Sequence, residues 1–266
     1  EVTAKEARIE LRGHQLLAGE TRIDLEPTLL DQLNLSEKDQ AYLRGDHGQA
    51  AKAAMETICI MGAVENASEL VSVERGHIDG CILAHDANLI FAEKMVQLGA
   101  RTTIPTTINA ISVDREHWQH SGLASDFGKR ASRLADAYVT MGVKPTFTCA
   151  PYLLSDKPQF GEKIGWSESN AVIFANTVLG AQTQKHPDYL DLFIAMTGRA
   201  PAVGVYSTAG RQASLRIAVQ IPKNWSSDDD SLWPLIGWLA GKFAPDAIPL
   251  ITGLESTNLS IDDLKG

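Results

Sequence analysis

The chain has 266 residues, of which 44% are hydrophobic and 21% are charged, a composition typical of a globular protein with one large or two small domains. Its formal net charge is −9, and it lacks the clusters of Lys and Arg that bind a phosphate backbone, so no nucleic acid is expected as a partner. It contains no run of about 18 apolar residues and no signal peptide, and we expect a cytoplasmic protein that binds a small molecule and no membrane.

The first 30 residues are short and mixed in character. LRGHQLLAGE (11–20) predicts a strand and a turn, but nothing around it completes a domain. Ser36 followed by Asp39 is typical of a helix start, and that helix is predicted to stop at Gly45. An Ala-rich helix is predicted next, over residues 49–61 and ending at Gly62. These patterns indicate an N-terminal segment, 1–30, and a large domain, 31–266.

Beyond residue 69, short apolar runs typical of strands alternate with helical patterns of about 10–15 residues. This alternation predicts an α/β fold with a mainly parallel sheet. SSDDDS (226–231) is interpreted as an acidic surface loop. The predicted strands cover 70–73, 81–85, 101–107, 144–149, 203–206, 214–222 and 246–254, and the predicted helices cover 88–99, 127–141, 169–180, 187–196 and 232–243.

Ligands of open α/β sheets bind just beyond the carboxyl ends of strands, so the residues that follow each predicted strand are candidates for a site. Thr106, Thr107 and Asn109 offer two hydroxyls and one amide, which suit the carboxylate or hydroxyls of a small polar substrate. The same three residues also fit a simple turn in which Asn109 caps a helix.

A second polar group precedes the predicted helix at 169–180. Ser167, Glu168, Ser169 and Asn170 follow Trp166 directly. Free backbone N–H groups at a helix start bind carboxylates, so this group is a candidate substrate-binding site. The alternative is a structural role, with Ser169 as the N-cap.

Three cysteines, Cys59, Cys81 and Cys149, lie far apart in the sequence. They form neither a disulfide framework nor a C-x-x-C motif, which fits a reducing cytoplasm. Cys149 ends a predicted strand, where its thiolate would ligate a metal or act as a nucleophile. It also fits a buried small apolar residue. Cys59 and Cys81 are interpreted as core residues.

Two histidines stand beside aspartates, in the pairs His77 with Asp79 and His85 with Asp86. Either pair suits acid–base chemistry, and each histidine also fits a structural hydrogen-bonding role. The sequence contains no H-x-H or H-E-x-x-H spacing, so zinc is not expected. The glycine-rich phosphate loops and the G-x-S-x-G elbow are also absent.

Six segments of the sequence are distinctive: GDHGQAAKAAM (45–55), HIDGC (77–81), FAEKMVQLGARTTIPTTIN (91–109), TCAPYL (148–153), GEKIGWSESNAVIFANTVLGAQT (161–183) and TGRAP (197–201). The most specific motifs in them are TCAPY and WSESNAVIFANTVLGA. Together these segments resemble the large catalytic domain of the aconitase X family, over about residues 31–266.

This resemblance implies aconitase-like α/β/α layers and an iron–sulfur enzyme that dehydrates a small hydroxy acid. The family activities it implies are dehydration of cis-3-hydroxy-L-proline and of mevalonate 5-phosphate. KHPDY (185–189) is more similar to the hydroxyproline branch. A dehydratase expels hydroxide, a poor leaving group that a Lewis-acidic iron assists by bonding the oxygen.

The resemblance also implies parts that this sequence does not show. The family's cluster is held by three cysteines, and only Cys149 matches one of them. The other two belong to motifs that follow in the family, so we expect the chain to be incomplete at its C-terminal side. The family uses a small swivelling domain, fused or on a separate chain, and LRGHQLLAGE resembles its opening. The general base is not identified.

Two hypotheses from other classes remain open at this point. One is a non-catalytic or cluster-free scaffold that binds a small acid. The other is an enzyme that uses Cys149 as a nucleophile together with a histidine.

Overall fold

The structure, a computed structural model, describes residues 9–12, 15–18, 21–24, 33–221, 231–255, 257 and 259–265. Its regular elements begin with three strands and then alternate between helices and short strands. The strands are β1 (Ile9–Arg12), β2 (Gln15–Ala18), β3 (Thr21–Asp24), β4 (Leu70–Ser72), β5 (Arg75–Ile78), β6 (Thr106–Ile108), β7 (Ile164–Trp166), β8 (Arg199–Pro201), β9 (Leu215–Ala218) and β10 (Pro249–Thr252). The helices are α1 (Glu37–Arg44), α2 (Gln49–Val64), α3 (Asp86–Gln97), α4 (Ser125–Thr140), α5 (Ser169–Phe174), α6 (Leu190–Thr197), α7 (Leu232–Phe243) and α8 (Ile261–Lys265).

The strand pairing confirms the α/β class predicted from the sequence. The central sheet has the order β6-β5-β7, with both pairs parallel, and β9 pairs with β10 in parallel. The ribbon of β4 and β8 is antiparallel, as is the sheet of β1, β2 and β3. Residues 11–12 and 15–18 of the strand and turn predicted over 11–20 therefore belong to this small N-terminal sheet, and residues 13–14 and 19–20 lie outside the described residues. Residues 226–230 of the predicted acidic loop, 226–231, lie outside the described residues.

The predicted start of α1 at Ser36 is confirmed in detail. The Ser36 hydroxyl accepts a hydrogen bond from the backbone N–H of Asp39, and the Asp39 carboxylate accepts one from the backbone N–H of Ser36. Gly45 ends the helix with a φ of 88°, a left-handed conformation that favours glycine. Asp39 is fully buried and also receives two hydrogen bonds from the Arg199 guanidinium, which anchors α1 to β8.

Helix α6 packs across one face of the central sheet and requires glycine in two strands. A Cβ at Gly165 would lie 2.6 Å from Cγ2 of Ile194, and one at Gly76 would lie 3.3 Å from Cβ of Ala195. The sheet and helix approach so closely here that only a residue without a side chain fits at Gly165. Behind α6, helix α2 contributes the fully buried Met55 and Ile58 to the same apolar layer.

The opposite face of the sheet carries Trp166 and is covered by the segment that includes TCAPYL. Tyr152 stacks on Phe174 with ring centroids 4.1 Å apart, and both pack in one buried cluster with Trp166. A further cluster joins Ile78 and Ile108 to residues of α3, α4 and α6. The sheet is therefore enclosed between layers on both faces, as an α/β/α arrangement requires.

Several predicted elements were wrong, each for a local reason. Residues 81–85 form turns, because the strand lies earlier, at β5, whose polar sequence RGHI gave no strand pattern. Residues 144–149 form no strand beyond a single bridge between Lys144 and Thr107, and 203–206 contain a 3₁₀ turn. Helix α2 continues past Gly62 to Val64, since Gly62 packs against Leu33 inside the helix.

Candidate active site

The carboxyl ends of β5, β6 and β7 meet at one edge of the central sheet, and polar residues follow each of them. Asp79 comes after β5, Asn109 after β6, and Ser167 and Glu168 after β7. The structure thus brings together residues that are up to 89 positions apart in the sequence, at the edge where parallel sheets bind ligands.

The amide of Asn109 lies at the centre of this edge. Its nitrogen donates hydrogen bonds to Oδ1 of Asp79 and to Oε2 of Glu168, and its oxygen accepts one from the backbone N–H of Ala110 at 2.7 Å. Asn109 is 2% exposed, and no helix begins after it, so the alternative of a simple helix cap is wrong. The amide instead fixes two carboxyl groups side by side.

The two carboxyl groups differ in their electrostatic environment. Partial burial raises the pKa of Glu168, and so do the hydrogen bond and the negative charge of the neighbouring Asp79. The hydrogen bond from Asn109 and the charge of Lys185 oppose this rise but do not cancel it. Because a neighbouring negative charge disfavours ionisation, the protonated form of Glu168 is favoured relative to that of an ordinary glutamate.

The remaining residues of the polar group at 167–170 take different positions. Glu168, not Ser169, occupies the N-cap position of α5, so the predicted Ser169 cap was displaced by one residue. Ser169 is exposed, and Ser167 is fully buried. The Asn170 amide donates a hydrogen bond to the backbone carbonyl of Cys149 at 3.3 Å, which joins TCAPYL to this edge.

Thr106 and Thr107 lie within β6 and not beyond its end. Thr106 donates its hydroxyl hydrogen bond to the carbonyl of Ile104 at 2.8 Å, and the Thr107 hydroxyl bonds to Nδ1 of His77 at 2.7 Å. Both threonines line a cavity of about 170 Å³ with Arg75 and Lys144, near the amino ends of the strands. The structure therefore does not bring their hydroxyls together with the Asn109 group.

The two predicted histidine–aspartate pairs are divided by the fold. His77 is fully buried, and burial lowers its pKa to about 4, so it is neutral near pH 7. Asp79 points instead to the site, where it meets Asn109. His85 precedes α3 on the surface, and Asp86 pairs with Arg130 at 2.9 Å. Of these four residues, only Asp79 joins the carboxyl edge.

Asp191 is a buried carboxyl that the sequence did not single out. One of its oxygens accepts a hydrogen bond from the backbone N–H of Asp79 at 2.7 Å, and the other from that of Leu192 at 2.7 Å. Burial raises its pKa to about 7. The sequence did contain a sign of this role, because Asp191 is an acidic residue inside the apolar run YLDLFIAM. Its position in a helix did not indicate that the backbone N–H of Asp79 is its partner.

The segment KHPDY packs against the turn after β5. A Cβ at Gly80 would lie 3.6 Å from Cβ of Asp188 and 3.7 Å from the ring of Tyr189. Tyr189 has a φ of 72°, a strained conformation for a residue other than glycine, and Phe147 just before TCAPYL has a φ of 45°. Backbone strain of this kind concentrates at functional sites.

Only one of the three cysteines offers an accessible thiol. Cys149 is exposed, whereas Cys59 and Cys81 are buried, as predicted, and burial raises the pKa of each to about 12. The Cys81 thiol donates to the carbonyl of Ala110 at 3.1 Å. Among the described residues, no group of three or more His, Cys, Asp or Glu is placed to hold a metal. Of the three thiols, only that of Cys149 is therefore open to a ligand.

Parallel strands with convergent polar groups at their carboxyl edge define an α/β ligand-binding domain. A family model described as the aconitase X first domain matches residues 32–209. This match covers more than half of the sequence, and the chain belongs to the aconitase X family. Within the described residues, no helix is long and apolar enough to cross a membrane.

The chain is similar to curated dehydratases of two kinds. It is 48% identical over 242 residues to a cis-3-hydroxy-L-proline dehydratase of Hypocrea jecorina, covering 91% of this chain and 40% of the relative. It is 47% identical to a protein of the same name from Pseudomonas aeruginosa, covering 85% of this chain and 39% of that one. A phosphomevalonate dehydratase large subunit of Methanothermobacter thermautotrophicus is 30% identical, covering 87% and 57%.

A solved structure has the same fold. Aconitase X of Thermococcus kodakaraensis, in its holo-form, superposes with a TM-score of 0.75 at 26% identity, covering 87% of this chain and 57% of that one. The chain thus spans less than two thirds of the length of each of these four proteins.

Proposed function

We propose that the complete protein is a dehydratase that converts cis-3-hydroxy-L-proline to pyrroline-2-carboxylate. The observation that carries the proposal is the 48% identity, over 91% of this chain, to a protein named for that reaction. The identity to phosphomevalonate dehydratase large subunits is 30% or lower, which favours the hydroxyproline substrate. Loss of water from the 3-position would give an enamine that tautomerises to the product.

The substrate is proposed to bind at the carboxyl edge of the central sheet. Glu168, Ser169 and Asn170, which are partly or fully exposed, supply polar groups for direct contact with a substrate carboxylate or hydroxyl. Asn109 and Ser167, also predicted as binding residues, are buried and support this group from behind. Direct contact of Thr106 and Thr107 with the substrate, as predicted from the sequence, is less favoured. The Thr106 hydroxyl is already hydrogen-bonded to Ile104 and the Thr107 hydroxyl to His77, and both residues lie within β6, where they stabilise the sheet.

Cys149 is proposed as one ligand of an iron–sulfur cluster. Its thiol is exposed, and its backbone carbonyl is bonded to Asn170, in the substrate-binding group. The further ligands would come from sequence that the relatives possess outside their match to this chain. A small swivelling domain, fused or separate, would complete the site, with segment 1–30 as its beginning and 31–266 as the large domain.

The test is an assay of the complete protein with cis-3-hydroxy-L-proline and, separately, with mevalonate 5-phosphate. We expect loss of the first substrate and appearance of pyrroline-2-carboxylate by NMR. Turnover of mevalonate 5-phosphate alone would replace the proposed substrate, and turnover of neither would contradict the dehydratase. In the same protein, Cys149→Ala should abolish cluster absorbance, whereas Cys59→Ala should retain it; retention in both would overturn the ligand assignment.

A further inference from the structure

We propose that Glu168 is the catalytic acid that gives a proton to the leaving hydroxyl of the substrate, with Asp79 as its positioning partner. This inference rests on the proposed dehydratase function and assigns one proton of that reaction to a residue of this chain. The inference is drawn from the contacts of Asn109, whose side-chain nitrogen donates a hydrogen bond to each of the two carboxyl groups.

The first step of the argument is the fixed orientation of the amide. The Asn109 oxygen accepts from the N–H of Ala110 at 2.7 Å, so its nitrogen must face away from that N–H and toward the carboxyl groups. Asn109 is buried, while Asp79 and Glu168 are both partly exposed. The amide therefore forms the back of the site, and the two carboxyl groups lie between it and an entering ligand.

The second step separates the roles of the two carboxyl groups. Asp79 is anchored twice, through its side chain to Asn109 and through its backbone N–H to the buried Asp191. Glu168 occupies the N-cap position of α5 without making a side-chain cap bond, and its longer side chain reaches Asn109 instead. Of the two residues, Glu168 lacks this second anchor, and its carboxyl is the group that we assign to the substrate hydroxyl.

The third step is the charge around Glu168. Asp79, after β5, faces it with a negative charge, and Lys185, before α6, faces it with a positive one. Asp191 lies behind Asp79 on α6. Since burial and Asp79 together outweigh Lys185 and raise the pKa of Glu168, its protonated form is favoured relative to an ordinary glutamate. A carboxylic acid that keeps its proton is suited to general-acid catalysis.

The proposed step balances without any change of oxidation state. A base of the complete protein, not assigned here, takes the proton from Cα, and the electrons of that bond form the Cα–C3 double bond. The C3–O bond breaks with its electron pair on oxygen, and the Glu168 proton passes to that oxygen, so that water leaves. Glu168 remains as a carboxylate and regains a proton from solvent.

The experiment compares a hydroxyl with fluoride as leaving group in the complete protein. Fluoride is a weak base that departs without a proton, whereas hydroxide needs one. In Glu168→Gln, kcat for cis-3-hydroxy-L-proline should fall by roughly 10²–10⁴-fold, while elimination from cis-3-fluoro-L-proline should change much less. Equal losses for both substrates, or full activity with the hydroxy substrate, would overturn the proposal.

A second variant tests the same role if the analogue is not a substrate or Glu168→Gln does not fold. Activity that requires protonated Glu168 declines as pH rises through the pKa of that group. Asp79→Asn removes the negative charge beside Glu168, so this decline in activity should move to lower pH. A pH profile that does not move would contradict the proposal.

The matched control is Glu74→Gln, which removes an exposed carboxyl before the amino end of β5. Wild-type protein without any turnover would instead refute the proposed function.

Discussion

Asp191 accepts a hydrogen bond from the backbone N–H of Asp79 at 2.7 Å, although the two residues are 112 positions apart. Its second oxygen accepts from the N–H of Leu192, so the fully buried carboxyl satisfies two backbone donors. One of them belongs to the turn that places Asp79 beside Asn109. Helix α6 thereby fixes the edge of the sheet at which the substrate is proposed to bind.

Replacement of Asp191 by Ala should therefore destabilise the protein. Two backbone N–H groups would lose their acceptor, and each buried unsatisfied donor costs about 1–3 kcal/mol. We expect the free energy of unfolding to fall by roughly 2–6 kcal/mol, measured by urea denaturation of the complete protein. Asp191→Asn keeps one acceptor oxygen and should lose less. Equal stability of wild type and Asp191→Ala would show that these hydrogen bonds contribute little.

The same carboxyl predicts a pH dependence with a definite sign. Burial raises the pKa of Asp191 to about 7, above its ordinary value of 3.8. The folded state then retains a proton that the unfolded state releases, so the contribution of Asp191 is present below pH 4 and is lost as pH rises through 7. Relative to Asp191→Asn, the wild type should lose stability between about pH 4 and pH 7 and change little above that.

Buried histidines change the stability with pH in the opposite direction. The prediction for Asp191 is therefore stated as the difference in unfolding free energy between wild type and Asp191→Asn. Burial lowers the pKa values of His77 and His186 to about 4, so their contributions are lost as pH falls below 6.5. Both histidines are present in wild type and in Asp191→Asn, and their effects cancel. A difference in unfolding free energy that stays constant with pH would contradict the raised pKa of Asp191.

Local sequence patterns predicted the helices and two residues of the carboxyl edge, but not how those residues bond. Asn109 was singled out because it follows a predicted strand, and Glu168 because it precedes a predicted helix, whereas strand β7 before Glu168 was not predicted. The role of Asp191 depends on a partner 112 residues away, which no local pattern records. Strand β5, with the sequence RGHI, was missed because Gly76 is dictated by its contact with Ala195 and not by strand propensity.

Strand β7 also contains a glycine, Gly165, that is explained by a distant contact and not by strand propensity, and this contact gives a further prediction. Gly165→Ala would place a methyl group 2.6 Å from Cγ2 of Ile194, and overpacking of this kind costs about 1–3 kcal/mol. Ile194→Ala should itself be destabilising, because it removes a fully buried side chain. The double variant should be more stable than the sum of the two single losses predicts, since the smaller side chain makes room. Strict additivity in chemical denaturation would show that the two residues do not interact.

The three cysteines are predicted to differ sharply in reactivity in cluster-free native protein. Cys149 is exposed, whereas Cys59 and Cys81 are buried with pKa values raised by burial to about 12. The thiolate is the form that attacks iodoacetamide, so burial and the raised pKa values protect Cys59 and Cys81, while exposure favours reaction at Cys149. Mass spectrometry after a short treatment should find one modified site, at Cys149, and none in Cys149→Ala. Modification of the other two should appear only when denaturant is added. Early labelling of Cys81 would mean that the carboxyl edge opens in the native protein, and it would remove the distinction on which Cys149 is proposed as the ligand.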